Sequence, residues 1–220
     1  DIDNDGRSEV VTAGYQESPR NSSSVVIYDE QLQHLTTINT PQMQVYGGYP
    51  IAIADADRDG FGEIFIHAEN GYLYCYRYNG TSSTNVWTSN TPTTSELRSA
   101  ILIIADVNGD GHPVIWALNK IYNAVTGVEL LTLPEVIGKS NLYNTGLATM
   151  PVFADYDNDG VLELAGGNKV YKLHINDYNS TSGNSAELWK MLNWNGTEDG
   201  VTSTADIDLD GYLDVVVVRD

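Results

Sequence analysis

A nine-residue acidic loop recurs five times along this chain, and this repeat constrains the fold more than any other feature. The copies are loop 1, DIDNDGRSE at 1–9; loop 2, DADRDGFGE at 55–63; loop 3, DVNGDGHPV at 106–114; loop 4, DYDNDGVLE at 155–163; and loop 5, DIDLDGYLD at 206–214. Their starts are 54, 51, 49 and 51 residues apart. A fixed period of about fifty residues indicates one structural unit copied along the whole chain.

Each unit contains several short apolar runs. The runs before the loops include IAIA at 51–54, ILIIA at 101–105 and PVFA at 151–154, and runs such as EIFIH and DVVVV follow the loops. Runs of this length bounded by turn residues are typical of β-strands. A third run follows a turn, most clearly at Asn70 and Gly71, because an Asn-Gly pair favours a hairpin. A fourth run, such as VELLTL, completes a unit of four antiparallel strands.

The sequence therefore predicts an all-β chain of four-stranded antiparallel blades, about fifty residues each, in a β-propeller that forms part of a larger ring. The chain would be a single propeller region with three full blades at 46–98, 99–146 and 147–198 and partial blades at 1–45 and 199–220. A β-sandwich or a row of independent calcium-bound modules is the alternative. A sandwich lacks this internal period, however, and independent modules need linkers.

Negative charge is concentrated in the loops. The 220 residues include 30 Asp and Glu against 11 Lys and Arg, a formal net charge of -19, and 18 of the 30 acidic residues lie in the five loops. Carboxylates this close repel one another unless a cation neutralises them. An acidic balance also argues against nucleic acid as a partner. No apolar run approaches the ~20 residues of a membrane span, so this segment should contain none.

The loops suit a metal ion with oxygen ligands. Side-chain oxygens at positions 1, 3 and 5 of a tight turn converge on one point, Gly at position 6 permits the turn, and position 9 is acidic in four loops. Position 7 varies, as expected where only the backbone carbonyl binds. This donor set favours calcium, with up to five ions. The predicted ligands are Asp1, Asp3, Asp5, Arg7 and Glu9; Asp55, Asp57, Asp59, Phe61 and Glu63; Asp106, Asn108, Asp110 and His112; Asp155, Asp157, Asp159, Val161 and Glu163; and Asp206, Asp208, Asp210, Tyr212 and Asp214.

The five loops are not equivalent. Loop 3 is the weakest predicted site, because Asn108 replaces an acid and Val114 stands at position 9. Loop 1 lacks the strand that precedes the other loops, so its site should need a substitute for that strand. An EF-hand begins with the same pattern, but it requires Glu at position 12. The residues at that position here are Thr12, Ile66, Ala117, Gly166 and Val217.

The apolar run, the pattern D-x-[DN]-x-D-G-x-x-[DE] and the second apolar run together resemble the FG-GAP/VCBS repeat family, the β-propeller module of integrin α-chains and many bacterial surface proteins. The resemblance extends over the whole chain, and four of the five loops match the pattern at every ligand position. It implies that the ions are calcium and that their role is structural. Loops of this kind in extracellular modules bind calcium at about 0.1 to 1 mM, so the protein is expected outside the cell or on its surface.

Two functions remain open. The first is a non-catalytic adhesion or surface module that binds a glycan or protein ligand outside the cell. The second is the propeller portion of a polysaccharide-degrading, lyase-like enzyme, because some lyases resemble this architecture. The four histidines occupy different strand positions and form no recognisable catalytic arrangement, which favours the first function. Tyr72, Tyr74, Tyr76 and Tyr78 share one face of a strand; packing between blades is the simpler interpretation, and stacking on sugars the alternative.

Overall fold

Short β-strands form all of the regular secondary structure in the described residues. The structure is a computed structural model that describes residues 1–16, 22–41, 51–93, 99–140, 148–192 and 200–218. The first sheet contains β1 (Val10–Gln16), β2 (Ser22–Tyr28) and β3 (His34–Thr40). The second contains β4 (Ile51–Ala54), β5 (Glu63–His67), β6 (Leu73–Tyr78) and β7 (Ser83–Thr88).

The chain continues in the same way. Two-residue strand β8 (Ser99–Ala100) precedes the third sheet, which contains β9 (Ile103–Ala105), β10 (Val114–Ala117), β11 (Lys120–Asn123) and β12 (Glu129–Thr132). Strands β13 (Lys139–Ser140) and β14 (Ala148–Thr149) precede the fourth sheet, which contains β15 (Val152–Ala154), β16 (Glu163–Gly166), β17 (Lys169–His174) and β18 (Ser185–Met191). The fifth sheet is the pair β19 (Val201–Ala205) and β20 (Asp214–Val218).

Neighbouring strands of each of these five sheets pair antiparallel in chain order. The predictions of an all-β chain and of four-stranded antiparallel units are therefore confirmed. An additional small sheet joins β13, β14 and β8, and its β14–β8 pair is parallel. The predicted boundaries between blades fall in 42–50, 94–98, 141–147 and 193–199, which lie outside the described residues.

The sheets stack face to face in chain order. Val25 and Ile27 of the first sheet pack with Ile64 and Ile66 of the second. The other face of the second sheet, with Phe65, packs against the third. Further clusters join the third sheet to the fourth and the fourth to Val215 of the fifth. Strands β5, β10 and β16 are buried along their whole length, because neighbouring sheets cover both of their faces.

The aromatic face of β6 belongs to this packing. Tyr76 and Tyr78 are buried in the cluster between the first and second sheets, and Tyr74 packs against it partly buried. The interpretation of these rings as packing between sheets is therefore confirmed for Tyr76 and Tyr78. The described part of the chain contains no helix that is long and apolar enough to cross a membrane.

Candidate metal sites

All five acidic loops adopt one backbone conformation. Each loop follows the first strand of a sheet or stands in the corresponding place, and it leads into the next strand. Position 4 has a left-handed backbone, with φ of 60° at Asn4, 62° at Arg58, 69° at Gly109, 59° at Asn158 and 61° at Leu209. The glycine at position 6 has φ between 87° and 93° in every loop, a region that side chains with a Cβ rarely adopt. Loop 1 has this conformation even though it stands at the start of the chain.

Backbone N–H groups orient the carboxylates at positions 1 and 5. In loop 1, the two Asp1 oxygens accept hydrogen bonds from the N–H groups of Asp5 at 3.0 Å and Gly6 at 2.9 Å. Asp5 Oδ1 accepts one from Arg7 N–H at 2.9 Å. Loops 2, 4 and 5 repeat all three bonds. Position 7 is therefore held by its N–H, whereas the binding of a metal by its carbonyl stays a prediction.

The carboxylate at position 9 closes the loop from the following strand. Glu9 Oε2 accepts a hydrogen bond from Ile2 N–H at 2.6 Å, and Glu63 Oε2 accepts one from Ala56 N–H at 2.8 Å. Glu163 and Asp214 make the same bond to position 2 of their loops. Burial is the main cause that raises the pKa of both Glu63 and Glu163 above the usual range. Because burial disfavours the ionised form of a carboxylate, a nearby positive charge is needed to stabilise it.

Loop 1 brings four carboxylates together. Oxygens of Asp1, Asp3, Asp5 and Glu9 all lie within 4.8 Å of one another. The Arg7 side chain turns away and pairs with Glu30 at 3.1 Å, and in the described part of the chain no Lys or Arg pairs with the four carboxylates. Asp3 Oδ1 is buried and accepts no hydrogen bond in the described structure. This donor set fits a calcium ion, because hard oxygen ligands and a buried unsatisfied oxygen converge on one place.

Loop 5 has a similar set. Oxygens of Asp206, Asp208 and Asp210 lie within 4.8 Å of one another. Asp214 binds Ile207 N–H at 3.0 Å, and none of these four carboxylates forms an ion pair with a described Lys or Arg. Among the described residues, therefore, no Lys or Arg side chain pairs with the carboxylates of loops 1 and 5.

Loop 2 differs because Arg77 of β6 reaches into it. Its guanidinium lies 2.7 Å from Asp57 Oδ2, 2.6 Å from Asp59 Oδ2 and 2.5 Å from Glu63 Oε1. Although desolvation lowers the pKa of Arg77, hydrogen bonds to Glu63 and Asp57 raise it above its usual value. Oxygens of Asp55, Asp57 and Glu63 also lie within 4.8 Å of one another, so Arg77 pairs with two of the three carboxylates that could hold a metal ion, and the prediction of a metal in this loop stays a prediction.

Loop 4 contains Lys172 of β17 in the same place. The ammonium Nζ lies 2.5 Å from Asp157 Oδ2, 3.2 Å from Asp159 Oδ2 and 3.5 Å from Glu163 Oε1. Hydrogen bonds to Asp157 and Asp159 raise the pKa of Lys172. Neither Asp157 Oδ1 nor Glu163 Oε1, both buried, accepts a hydrogen bond in the described structure. A compact ammonium therefore satisfies this loop less completely than the guanidinium satisfies loop 2.

Loop 3 is closed by neutral groups and one ion pair. The Tyr178 hydroxyl donates to Asp110 Oδ2 at 2.9 Å, and the Asn108 amide donates to the same oxygen at 2.9 Å. Burial raises the pKa of Asp110, but hydrogen bonds from His112 N–H, Asn108 and Tyr178 outweigh it and lower that pKa. Arg58 of loop 2 pairs with Asp106 at 3.3 Å. The ranking of loop 3 as the weakest calcium site stays a prediction.

Sequence reasoning missed three of these groups. Arg77 and Lys172 lie fourteen and nine residues beyond the position-9 glutamates, and Tyr178 lies in the connection between β17 and β18. A signal for the first two was present, because each stands in the third run of its unit, among apolar or aromatic residues. Only the strand register shows that these bases face the acidic loops.

The geometry defines a β-repeat protein whose successive sheets each present an acidic loop at the same place. Residues 1–66 match the sequence model of a family described as an FG-GAP-like repeat. This match covers loops 1 and 2, and it confirms the resemblance for that part of the chain. The chain thus carries an FG-GAP-like repeat. No curated protein matches the sequence.

Several solved structures share the fold. The biofilm matrix protein Bap1 of V. cholerae superposes with a TM-score of 0.65 at 17% identity, over 99% of this chain and 33% of that protein. The rhamnogalacturonan lyase YesW gives 0.62 at 18% identity, over 99% of this chain and 43% of the enzyme. A rhamnogalacturonan lyase of Bacillus licheniformis gives 0.56 at 18% identity, with the same two shares. This chain therefore spans a third to less than half of these proteins.

Proposed function

We propose that this chain is an extracellular, calcium-stabilised β-propeller module that binds a glycan or protein ligand and catalyses no reaction. The observation that carries the proposal is the convergence of four carboxylates in loop 1 within 4.8 Å, without a Lys or Arg partner among the described residues. Like charges this close disfavour the compact loop unless a cation binds. Oxygen-only ligands on a tight turn favour calcium over zinc or copper.

The stacking of the sheets supports a propeller. Each four-stranded sheet packs against the next in chain order, and the first strands β4 and β9 contact each other, as do β15 and β19. First strands that adjoin in this way are the expected inner strands of successive blades around a central axis. The blades would be 46–98, 99–146 and 147–198, with partial blades at 1–45 and 199–220, and they would belong to a larger ring.

Calcium also supports a location outside the cell. Extracellular calcium modules have dissociation constants of about 0.1 to 1 mM, a concentration that a resting cytosol does not reach. The FG-GAP-like repeat at 1–66 and the shared fold with a biofilm matrix protein agree with a surface or secreted role. In this role each ion stabilises the compact conformation of its own acidic loop, and the ligand binds on a surface of the ring.

The ligand-binding role is favoured over catalysis by the acidic groups themselves. The clustered carboxylates of loops 1, 2, 4 and 5 are engaged with backbone N–H groups, and in loops 2 and 4 with a base as well. His67 is buried in β5, and His174 lies on an exposed end of β17, so these two histidines do not share a site. A calcium-dependent signal on a glycan array or with a cell-surface extract would support ligand binding, and its absence from both would argue against it.

The alternative is the propeller portion of a lyase-like enzyme, which the fold shared with two rhamnogalacturonan lyases favours. An assay for cleavage of rhamnogalacturonan separates the two functions. The proposal predicts binding without cleavage at millimolar calcium, whereas depolymerisation by the purified chain would establish the enzyme.

Calcium itself is tested by counting bound ions. Asp5→Asn removes one charge from loop 1 at a position that is Asp in all five loops and keeps the size of the side chain, so it should lower the number of calcium ions bound at millimolar concentration by one. Asn4→Asp, at an exposed position of the same loop, is the control for a general effect of charge. Unchanged binding in Asp5→Asn would contradict the assignment of this site.

A further inference from the structure

Arg77 and Lys172 occupy equivalent places in two sheets. Arg77 of β6 pairs directly with Glu63 of β5 in the antiparallel register. In the fourth sheet Leu164 pairs with Tyr171, which places Lys172 opposite Glu163. In both sheets, therefore, a base on the third strand faces the position-9 glutamate of the acidic loop.

The first and third sheets place no base there. In the first sheet Val10 pairs with Tyr28, so the residue opposite Glu9 is Asp29. In the third sheet Asn123 stands opposite Val114. Where the third strand carries a base, the loop has its full set of acids and the base binds three of them. Opposite Glu9 of loop 1, Asp29 directly follows β2, and no described Lys or Arg side chain pairs with the four acids.

The Arg77 guanidinium satisfies loop 2 as a metal ion would. It donates to Asp57, Asp59 and Glu63 at 2.5 to 2.7 Å, and a planar fork of donors suits carboxylates better than a point charge does. In the described structure, no oxygen of these three carboxylates is both buried and without a hydrogen bond. A calcium ion in the same place would displace the guanidinium and repel it at short range.

Lys172 occupies the corresponding place in loop 4, and its ammonium group also contacts an aromatic ring outside the loop. Its Nζ lies 5.0 Å from the centre of the Trp189 ring, a favourable distance for a cation above an aromatic face. Both bases are mostly shielded from water, with side chains 24% and 23% exposed. Shielding strengthens their attraction to the carboxylates.

We infer that Arg77 and Lys172 are the resident cations of loops 2 and 4, and that they exclude calcium from these two loops. Calcium then binds the loops that lack such a base, first of all loop 1. The inference rests on the proposed use of calcium by these open loops. The acidic loops are therefore of two kinds. In one kind the carboxylates bind calcium, and in the other they pair with an Arg or Lys side chain of the same sheet.

The test is the number of calcium ions bound per chain, measured by equilibrium dialysis at millimolar calcium. Arg77→Met and Lys172→Met keep the apolar part of each side chain and remove the charge, so each variant should bind one ion more than the unaltered chain. Lys190→Met is the matched control, because Lys190 is exposed on β18 and makes no ion pair in the described structure. This control should bind the same number of ions as the unaltered chain.

Asp59→Asn in the otherwise unaltered chain gives a second test that does not depend on the folding of Arg77→Met, because position 5 is Asp in all five loops. It should leave the calcium count unchanged, because loop 2 holds no calcium while Arg77 is present. Loss of one ion in Asp59→Asn, or no gain in Arg77→Met that is folded by circular dichroism, would overturn the inference. Binding of no calcium by the unaltered chain together with one ion in Arg77→Met would instead contradict the proposed function and leave the inference intact.

Discussion

The carbonyl oxygen of Ile2 accepts a hydrogen bond of 3.0 Å from the backbone N–H of Gly62. The bond joins position 2 of loop 1 to position 8 of loop 2, and Leu162 N–H makes the same bond to the Val107 carbonyl at 2.7 Å. Position 2 is buried in the first four loops, whereas Ile207 of loop 5 is 64% exposed. The acidic loops therefore also form contacts between successive sheets.

This contact predicts different costs for one substitution at two equivalent positions. Ile2→Ala removes a side chain that is 4% exposed within the cluster between the first two sheets, so it should lower the free energy of unfolding by about 2 to 5 kcal/mol. Ile207→Ala makes the same change at the equivalent position of loop 5, where the side chain is exposed. It should change the free energy of unfolding by less than about 0.5 kcal/mol. Urea denaturation at millimolar calcium measures both. Equal costs would contradict the role of position 2 as a buried contact.

Much of the local structure could be predicted from the sequence. The acidic loops and the runs around them have strong local signals, such as the glycine at position 6 and the Asn-Gly turn before β6. This turn is present, with φ of 83° at Gly71 and a hydrogen bond from Ala68 N–H to the Tyr72 carbonyl. Local chemistry of this kind is independent of the rest of the fold.

The partners of the loops could not be predicted in the same way. Whether Arg77 faces Glu63 or the opposite side of the sheet depends on strand register, and a shift of one residue would reverse it. Tyr178 reaches loop 3 from a different sheet, 68 residues beyond Asp110. Such contacts depend on how the sheets stack, which the sequence of one repeat does not contain. The strands β8, β13 and β14 were missed because two-residue runs carry no periodic signal.

A close approach between the second and third sheets predicts the effect of a single methyl group. A Cβ on Gly127 would lie 2.4 Å from the Trp87 ring, and the residue has φ of 71°. Gly127→Ala should therefore lower the free energy of unfolding by about 2 to 4 kcal/mol, from the clash and the backbone strain together. Denaturant unfolding followed by tryptophan fluorescence measures this loss.

Gly183→Ala is the matched control for the effect of backbone strain alone. Gly183 has φ of 76°, and a Cβ there would meet nothing within 4 Å. Its substitution should cost only the strain of a left-handed alanine, about 1 kcal/mol. If both variants lost equal stability, the contact between Gly127 and Trp87 would not be the cause.

His67 predicts a loss of stability in mild acid. The ring is fully buried in β5, with Nε2 2.8 Å from Thr93 Oγ1, and burial lowers its pKa to about 4. In the unfolded chain the pKa of His67 is near 6.5. Between about pH 4 and pH 6.5 the imidazole is therefore protonated in the unfolded chain and neutral in the folded chain. The stability from neutral His67 is therefore present above about pH 6.5 and falls as the pH drops to about 4, by roughly 3 kcal/mol.

The measurement compares the unaltered chain with His67→Gln, which keeps a polar atom near the position of Nε2. Carboxylates titrate in both proteins, so the difference between their free energies of unfolding isolates the histidine. This difference should change by about 3 kcal/mol in favour of the unaltered chain between pH 4 and pH 7. A difference that is constant over this range would show that His67 takes up a proton without cost in the folded state.

The central claim is that calcium in the open acidic loops stabilises the fold, and thermal unfolding with and without a chelator tests it most directly. At about 10 mM calcium, tenfold to a hundredfold above the expected dissociation constants, each occupied site should contribute about 1.4 to 2.7 kcal/mol. This calcium concentration should therefore raise the melting temperature by several degrees over the chelated protein, and Asp5→Asn should reduce this rise. Magnesium should reproduce little of it, because it demands a stricter octahedral geometry. A melting temperature that is the same with calcium and with excess chelator would contradict the account.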